Sequence, residues 1–291
     1  MDSTHEFDPQ LEALISLLDE PDHGSFVKVR EQIFAYGSSA VPLLETAWEN
    51  TFDNSIQQRI EDIIHNIQYD QVFLDLTSWA HYSSSNLLDA YLIFTRYQYQ
   101  NVDQDVIRKQ IELIKRDIWL ELNDNLTALE KVKVLNHIIF DLHRMQLPTR
   151  QVSEPRYLFL NNMLESRMGY SFSIGVLYTI LAQSLDLPVH GVILPGERYV
   201  MAWLDAPGAV PDNSARVMFY INPENRGGVF TRNEISALLK KLKIPSDDKI
   251  FRPVTSKMIL DKLLELLSYL YSMTGESKRI NEIEHLRSAL L

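Results

Sequence analysis

The hydrophobic pattern of this chain changes once along its length, and that change constrains the fold more than any other feature. From Phe7 to about Arg144 apolar residues return at helical spacing, as in Leu11, Leu14, Ile15 and Leu18 and again in Ile60, Ile63, Ile64 and Ile67. Few glycines or prolines interrupt these runs, so the first half is expected to be all helix. Expected breaks fall at DEPDHGS (19–25), YGSSAVP (36–42), NTFDNS (50–55), YSSSN (82–86) and LNDNLT (122–127), where Gly, Pro or an N-capping Ser, Asp or Asn is supplied. Helices of about three to five turns should lie between them.

At RMQLPTRQVSEPR (144–156), with two prolines and little apolar content, the helical pattern gives way to a surface loop. A short helix (Tyr157 to Arg167) and a longer one (Ser173 to Leu185) follow. PVHGVILP, ERYVMAWLD and ARVMFYINP are then rich in β-branched and aromatic residues and bounded by Pro, Gly and Asn, so three antiparallel strands are expected. APGAVPDNS (206–214) would join the second to the third. Helix resumes at TRNEISALLKKL, where Thr231 and Glu234 stand at capping-box spacing. Two further amphipathic helices, broken at Gly275, close the chain. The fold class is therefore α+β and predominantly helical.

Composition narrows the functions open to such a fold. The 45% hydrophobic content of 291 residues suffices for a sizeable core. A net charge of -11 argues against a general nucleic-acid or anionic-membrane binder, because those surfaces need an excess of Lys and Arg. The start, MDSTHEFDPQ, lacks the basic and apolar regions of a signal peptide, and no apolar run is long enough to span a bilayer. A soluble cytoplasmic protein is expected. With no cysteine the chain has no disulfide, no thiolate metal site and no Cys nucleophile.

Three stretches carry resemblances. LISLLDEPDHGSFVKVREQIFAYGSSAVPLLETAWEN resembles one HEAT-like helical repeat, with Gly37 suited to a left-handed C-cap and Pro42 to a helix's first turn. The C-terminal pair resembles one tetratricopeptide-like (TPR-like) hairpin, which must dock on the rest to bury its apolar face. Between them, RMGYSFSIGVLYTILAQSLDLPVHGVILPGERYVMAWLD (167–205) resembles the centre of a papain-like or transglutaminase-like thiol enzyme: a Gly-entered helix, a Leu-Pro turn, then strands. Together with YLFLNNMLES and INPENRGG, these pieces resemble the bacterial transglutaminase-like/tetratricopeptide family of SirB type. That resemblance implies a helical HEAT-like region over 1–100, a transglutaminase-like core over 101–250 and a TPR-like hairpin over 251–291.

In catalytic transglutaminase-like proteins a Cys at a helix N-terminus attacks, a His on a neighbouring strand is its base, and an Asp or Asn on the next strand orients the His. The Cys position, seventeen residues before Pro188, falls on Ser171, with Ser173 as an alternate. The His position is Glu197, nine residues after Pro188, or Met201 if MAW is matched to His-Ala-Trp. The third position, before Pro223, is Asn222. The triad is thus degenerate, and a binding role is expected, through a groove along the Ser171 helix and the Glu197 strand with Arg198, Tyr199 and Arg226 as contacts. Its occupant would be a protein or peptide. The alternative is a serine-dependent hydrolase or acyltransferase using Ser171 or Ser173, which needs a carboxylate base made more basic by burial.

Other constellations point to packing. His190 is read as structural. His137 and Asp141, one helical turn apart, are too few to hold a metal and fit a solvated helix face. KKLK (240–243) complements a helix C-terminus, NRGG is read as a tight turn, and Tyr91, Phe94 and Tyr97 stand at the spacing of a buried helix face. Trp203 should pack beneath the cleft. No cofactor or metal is expected.

Overall fold

The computed structural model describes residues 8–149, 153–196, 198–205, 216–245 and 247–290. Two compact units emerge, Met1–Asp75 and Leu76–Leu291.

The first unit is helical. It holds α1 (Pro9–Ser16), α2 (His23–Phe34), a 3-10 turn (Gly37–Ala40), α3 (Val41–Asn50) and the start of α4 (Asn54–Tyr82). Asp22 caps α2 by accepting from the Ser25 N–H at 2.7 Å, Gly37 takes φ +57°, and Pro42 sits in the first turn of α3. Leu11, Leu14, Leu18, Ile33, Leu44 and Ile60 form its core. At 29 residues, α4 runs for about eight turns and exceeds the expected length. Nothing between Ile56 and Tyr82 can stop it, because that stretch has neither Gly nor Pro.

The second unit begins with three more helices, α5 (Leu87–Gln98), α6 (Gln104–Glu121) and α7 (Ala128–Asn136), the last continuing into a π-helical turn (His137–Leu142). The break between α5 and α6 is not among those expected. It lacks Gly and Pro and rests on Asp103, whose carboxylate accepts from the N–H groups of Asp105 and Val106 at 2.9 and 3.2 Å. The expected helix from Tyr157 opens instead as a 3-10 turn (Pro155–Leu158) before α8 (Leu160–Ser166). Helix α9 spans Ser171–Gln183, beginning two residues earlier than expected.

The sheet is antiparallel with strands in the order β1 (Val189–Leu194), β2 (Arg198–Leu204), β3 (Val217–Asn222) and β4 (Gly228–Phe230). The fourth strand is an addition to the three expected. NRGG does turn, with φ +47° at Arg226 and +76° at Gly227, but the chain then pairs with β3 for three residues, too few to leave a strand pattern. The expected loop at 206–214 lies outside the described residues. One sheet face packs on α9; the other packs through Val192, Val200 and Ala202 on Ile235 and Leu239 of α10 (Arg232–Lys241).

Helices α11 (Ser256–Thr274) and α12 (Ser277–Ser288) form the C-terminal hairpin, turned by Gly275 at φ +78°. It docks on α5. Arg279 Nη1 donates to Gln98 Oε1 at 3.0 Å, the Tyr97 hydroxyl donates to Glu282 Oε2 at 3.0 Å, and the Tyr271 hydroxyl also reaches Gln98. Tyr91 and Phe94 are buried on the same helix, Phe94 stacking on Phe159 with ring centres 5.0 Å apart.

Candidate functional site

Helix α9 is buried from Phe172 to Ala182 between the sheet and the preceding helices, and only its end residues, Ser171 and Gln183, are partly open to solvent. Burial on all sides needs small residues where neighbours come close. A Cβ on Gly175 would lie 2.5 Å from the Tyr199 ring, and one on Gly191 would lie 2.2 Å from the Tyr199 hydroxyl. Tyr199 is thereby clamped between helix and sheet, 1% exposed, with its hydroxyl 3.0 Å from Thr179 Oγ1. Burial raises its phenol well above the ordinary tyrosine range.

At the open end, Tyr170 precedes α9 in extended conformation and no side chain caps the helix. Ser171 Oγ faces Glu224 Oε1 at 3.5 Å. Glu224 arrives on the turn after β3: Asn222 Oδ1 accepts the Glu224 N–H at 2.9 Å and starts the 3-10 turn Pro223–Asn225. A carboxylate here complements the positive end of the helix dipole. It is the wrong sign for an oxyanion, which needs donors at that place.

The turn is anchored to α7. Asn136 Nδ2 donates to Gly227 O at 2.8 Å while Asn136 Oδ1 accepts from the Tyr178 hydroxyl at 3.1 Å. A Cβ at Gly227 would fall 1.9 Å from Asn136 Oδ1, so both the positive φ and the close approach require glycine. The irregular π-helical turn presents Phe140 O to Arg226 Nη2 at 3.0 Å, and Arg226 also pairs with Asp141. Asp141 in turn meets His137 Nδ1 at 3.3 Å.

The residues singled out in the sequence therefore separate. Ser171, Asn222 and Arg226 share the open end of α9 and the turn beside it. Glu197 lies outside the described residues. Met201 is 0% exposed and faces Gly175, its Sδ 3.3 Å from where a Cβ there would stand, so an apolar side chain fills the place one helical turn below Ser171. Tyr199 is sealed inside and lines no groove, which corrects its reading as a contact. Arg198 alternates with Tyr199 and falls on the other sheet face, with Val200 and Ala202, so it does not share a surface with Arg226. Ser173 is 0% exposed, and its Oγ meets no partner at hydrogen-bonding geometry, although the buried Tyr91 hydroxyl, which donates to Leu158 O at 2.7 Å, lies beside it. No substrate could reach it. His190 pairs with Ala202 and shares its face, away from α9, where burial lowers its basicity.

Sequence reasoning missed Glu224, Asn136 and Tyr178. Glu224 had a signal, since Asn-Pro-Glu can close an Asx turn that carries the carboxylate back toward the helix. Asn136 and Tyr178 had none beyond polar atoms within amphipathic or apolar runs. Among the described residues, no group of three or more His, Asp and Glu is arranged to hold a metal, and no helix is long and apolar enough to cross a membrane.

A helix pointing its N-terminus past an antiparallel sheet is the frame expected from the resemblance. Residues 105–265 match the transglutaminase-like superfamily. The chain belongs to that superfamily. It is 22% identical over 199 residues to a UPF0162 protein of Xylella fastidiosa (strain 9a5c), covering 66% of this chain and 67% of that protein. No solved structure matches. Within this transglutaminase-like domain the Ser171 hydroxyl at the start of α9 faces the exposed carboxylate of Glu224, and among the described residues no imidazole contacts it.

Proposed function

We propose that this protein is a non-catalytic member of the superfamily, of SirB type, in which the open end of α9 binds a segment of a protein or peptide partner. The single observation behind this reading is the Ser171–Glu224 contact. A thiol enzyme needs an imidazole within reach of the nucleophile and donors for the oxyanion; here the reachable group is an exposed carboxylate, and Asn222 spends its amide oxygen on the turn that holds it. What remains at the mouth is a set of polar groups of both signs, Ser171, Glu224, Arg226 and Asp141, around an anchored turn. Such a set suits recognition of polar backbone and side-chain groups. The HEAT-like and TPR-like readings of the flanking helices and a cytoplasmic setting belong to the same proposal.

Selection from a displayed peptide library tests it. Related sequences should be enriched on the wild type, with binding weakened at least tenfold by Glu224→Arg or Arg226→Ala. Enrichment of none, or of binders indifferent to both substitutions, counts against it.

A further inference from the structure

A second site lies at the opposite edge of the sheet. A cleft of about 740 Å³ opens between β1, the segment before α11 and the α11–α12 hairpin, a volume within the roughly 300–1,000 Å³ usual for ligand sites. Its apolar lining is Ile193, Ile250, Val254, Met258 and Leu290. On a chain of net charge -11, the cleft is lined by five cationic side chains against two acidic ones. Both acidic groups are spent on one of the cations: Arg287 holds Asp261 through Nε at 2.7 Å and Nη2 at 3.2 Å, and Glu284 through Nη1 at 3.1 Å. Lys249 and Lys257 have no acidic partner among the described residues, and Arg252 adds a third cation to the wall.

The backbone contributes as well. β1 is an edge strand, and alternate residues turn their main-chain groups away from β2. Leu204 N donates to Pro188 O at 2.9 Å, so the even positions pair with β2 and the odd ones face outward. Val189 O is taken by Gln183 Nε2 at 2.9 Å and Gly191 O by Val254 N at 2.8 Å. Pro253 has no N–H to offer this edge, and among the described residues no backbone group bonds the outward N–H and C=O of Ile193 where the cleft begins.

We propose that this cleft binds an extended acidic peptide segment. Its backbone bonds the Ile193 edge, an apolar side chain seats against Val254 and Met258, and its carboxylates face Lys249, Arg252 and Lys257. This site is separate from the one at Ser171, and neither reading depends on the other.

The probe is a fluorescein-labelled synthetic octapeptide alternating Asp with Leu, with a Lys-for-Asp counterpart as control, measured by anisotropy on the full chain. Saturable binding of the acidic peptide is expected, weakening with added salt and at least tenfold in the Lys249→Glu/Lys257→Glu double variant. Both lysines are on the surface, and Glu at 257 complements the start of α11, so circular dichroism should show an intact fold. Glu224→Arg should leave this binding unchanged. No saturable binding, equal binding of the basic peptide, or an affinity unaltered in the double variant overturns the proposal.

Discussion

The interior of α9 and its mouth obey different rules. Inside, Gly175, Thr179, Tyr199 and Met201 leave no space, and each contact is over-determined by a neighbour on the sheet. At the mouth, half-buried Ser171 and exposed Glu224 meet across 3.5 Å, and a few single side-chain hydrogen bonds set their geometry, the Asx turn at Asn222 and the anchors at Asn136 and Arg226. One added carbon in the interior costs stability, whereas a side chain at the mouth can be exchanged without unfolding the protein. Under the proposed reading, that is how a frame can be kept without its chemistry.

The sharpest way to break this contrast is to add volume at both places. Gly175→Val should cost about 3 kcal/mol in chemical denaturation, because its methyl groups have nowhere to go but into the Tyr199 ring. If the variant unfolds at the wild-type midpoint, the sealed interior is wrong. A smaller loss, about 2 kcal/mol, is expected for Asn136→Ala, which frees the Gly227 carbonyl and the buried Tyr178 hydroxyl together. Adding Tyr178→Phe to that variant should cost less than it does in the wild type, and simple additivity would show that the anchor between mouth and interior is not one network.

His190 offers a pH test on the face of the sheet away from α9. Burial lowers its folded-state value below the ordinary 6.5, so the unfolded chain takes up the proton first as pH falls. Stability contributed by the neutral ring is present above that value and is lost as pH falls from 6.5 through the folded value; His190→Gln should flatten the dependence measured by thermal melting between pH 7 and 5. An unchanged slope would place the ring in solvent. The smallest effect belongs to the mouth, where Ser171→Ala should shift stability by less than about 0.5 kcal/mol.

What the sequence made legible follows the same division. Periodicity and breakers marked most helices because Pro42, Gly37 and Gly275 act locally, and β-branched runs marked three strands for the same reason. The α5–α6 break escaped because one Asp cap makes it without Gly or Pro, and β4 escaped because three residues pair only where β3 is already present. At the site, Ser171 and Asn222 could be counted from the Leu-Pro turn and Pro223. The partner of Ser171 could not, since Glu224 lies 53 residues away and reaches the helix only through the fold. Alternation along β2 was visible, but not which face meets α9; that is why Arg198 and Tyr199 were grouped although the strand sends them to opposite sides.

The central claim, that the frame holds no activated nucleophile, is tested most directly by a serine-directed fluorophosphonate followed by intact-mass measurement. The account predicts no adduct at Ser171 or at the buried Ser173 over a range of pH. A stoichiometric adduct on Ser171, absent from Ser171→Ala and diminished in Glu224→Gln, would contradict it.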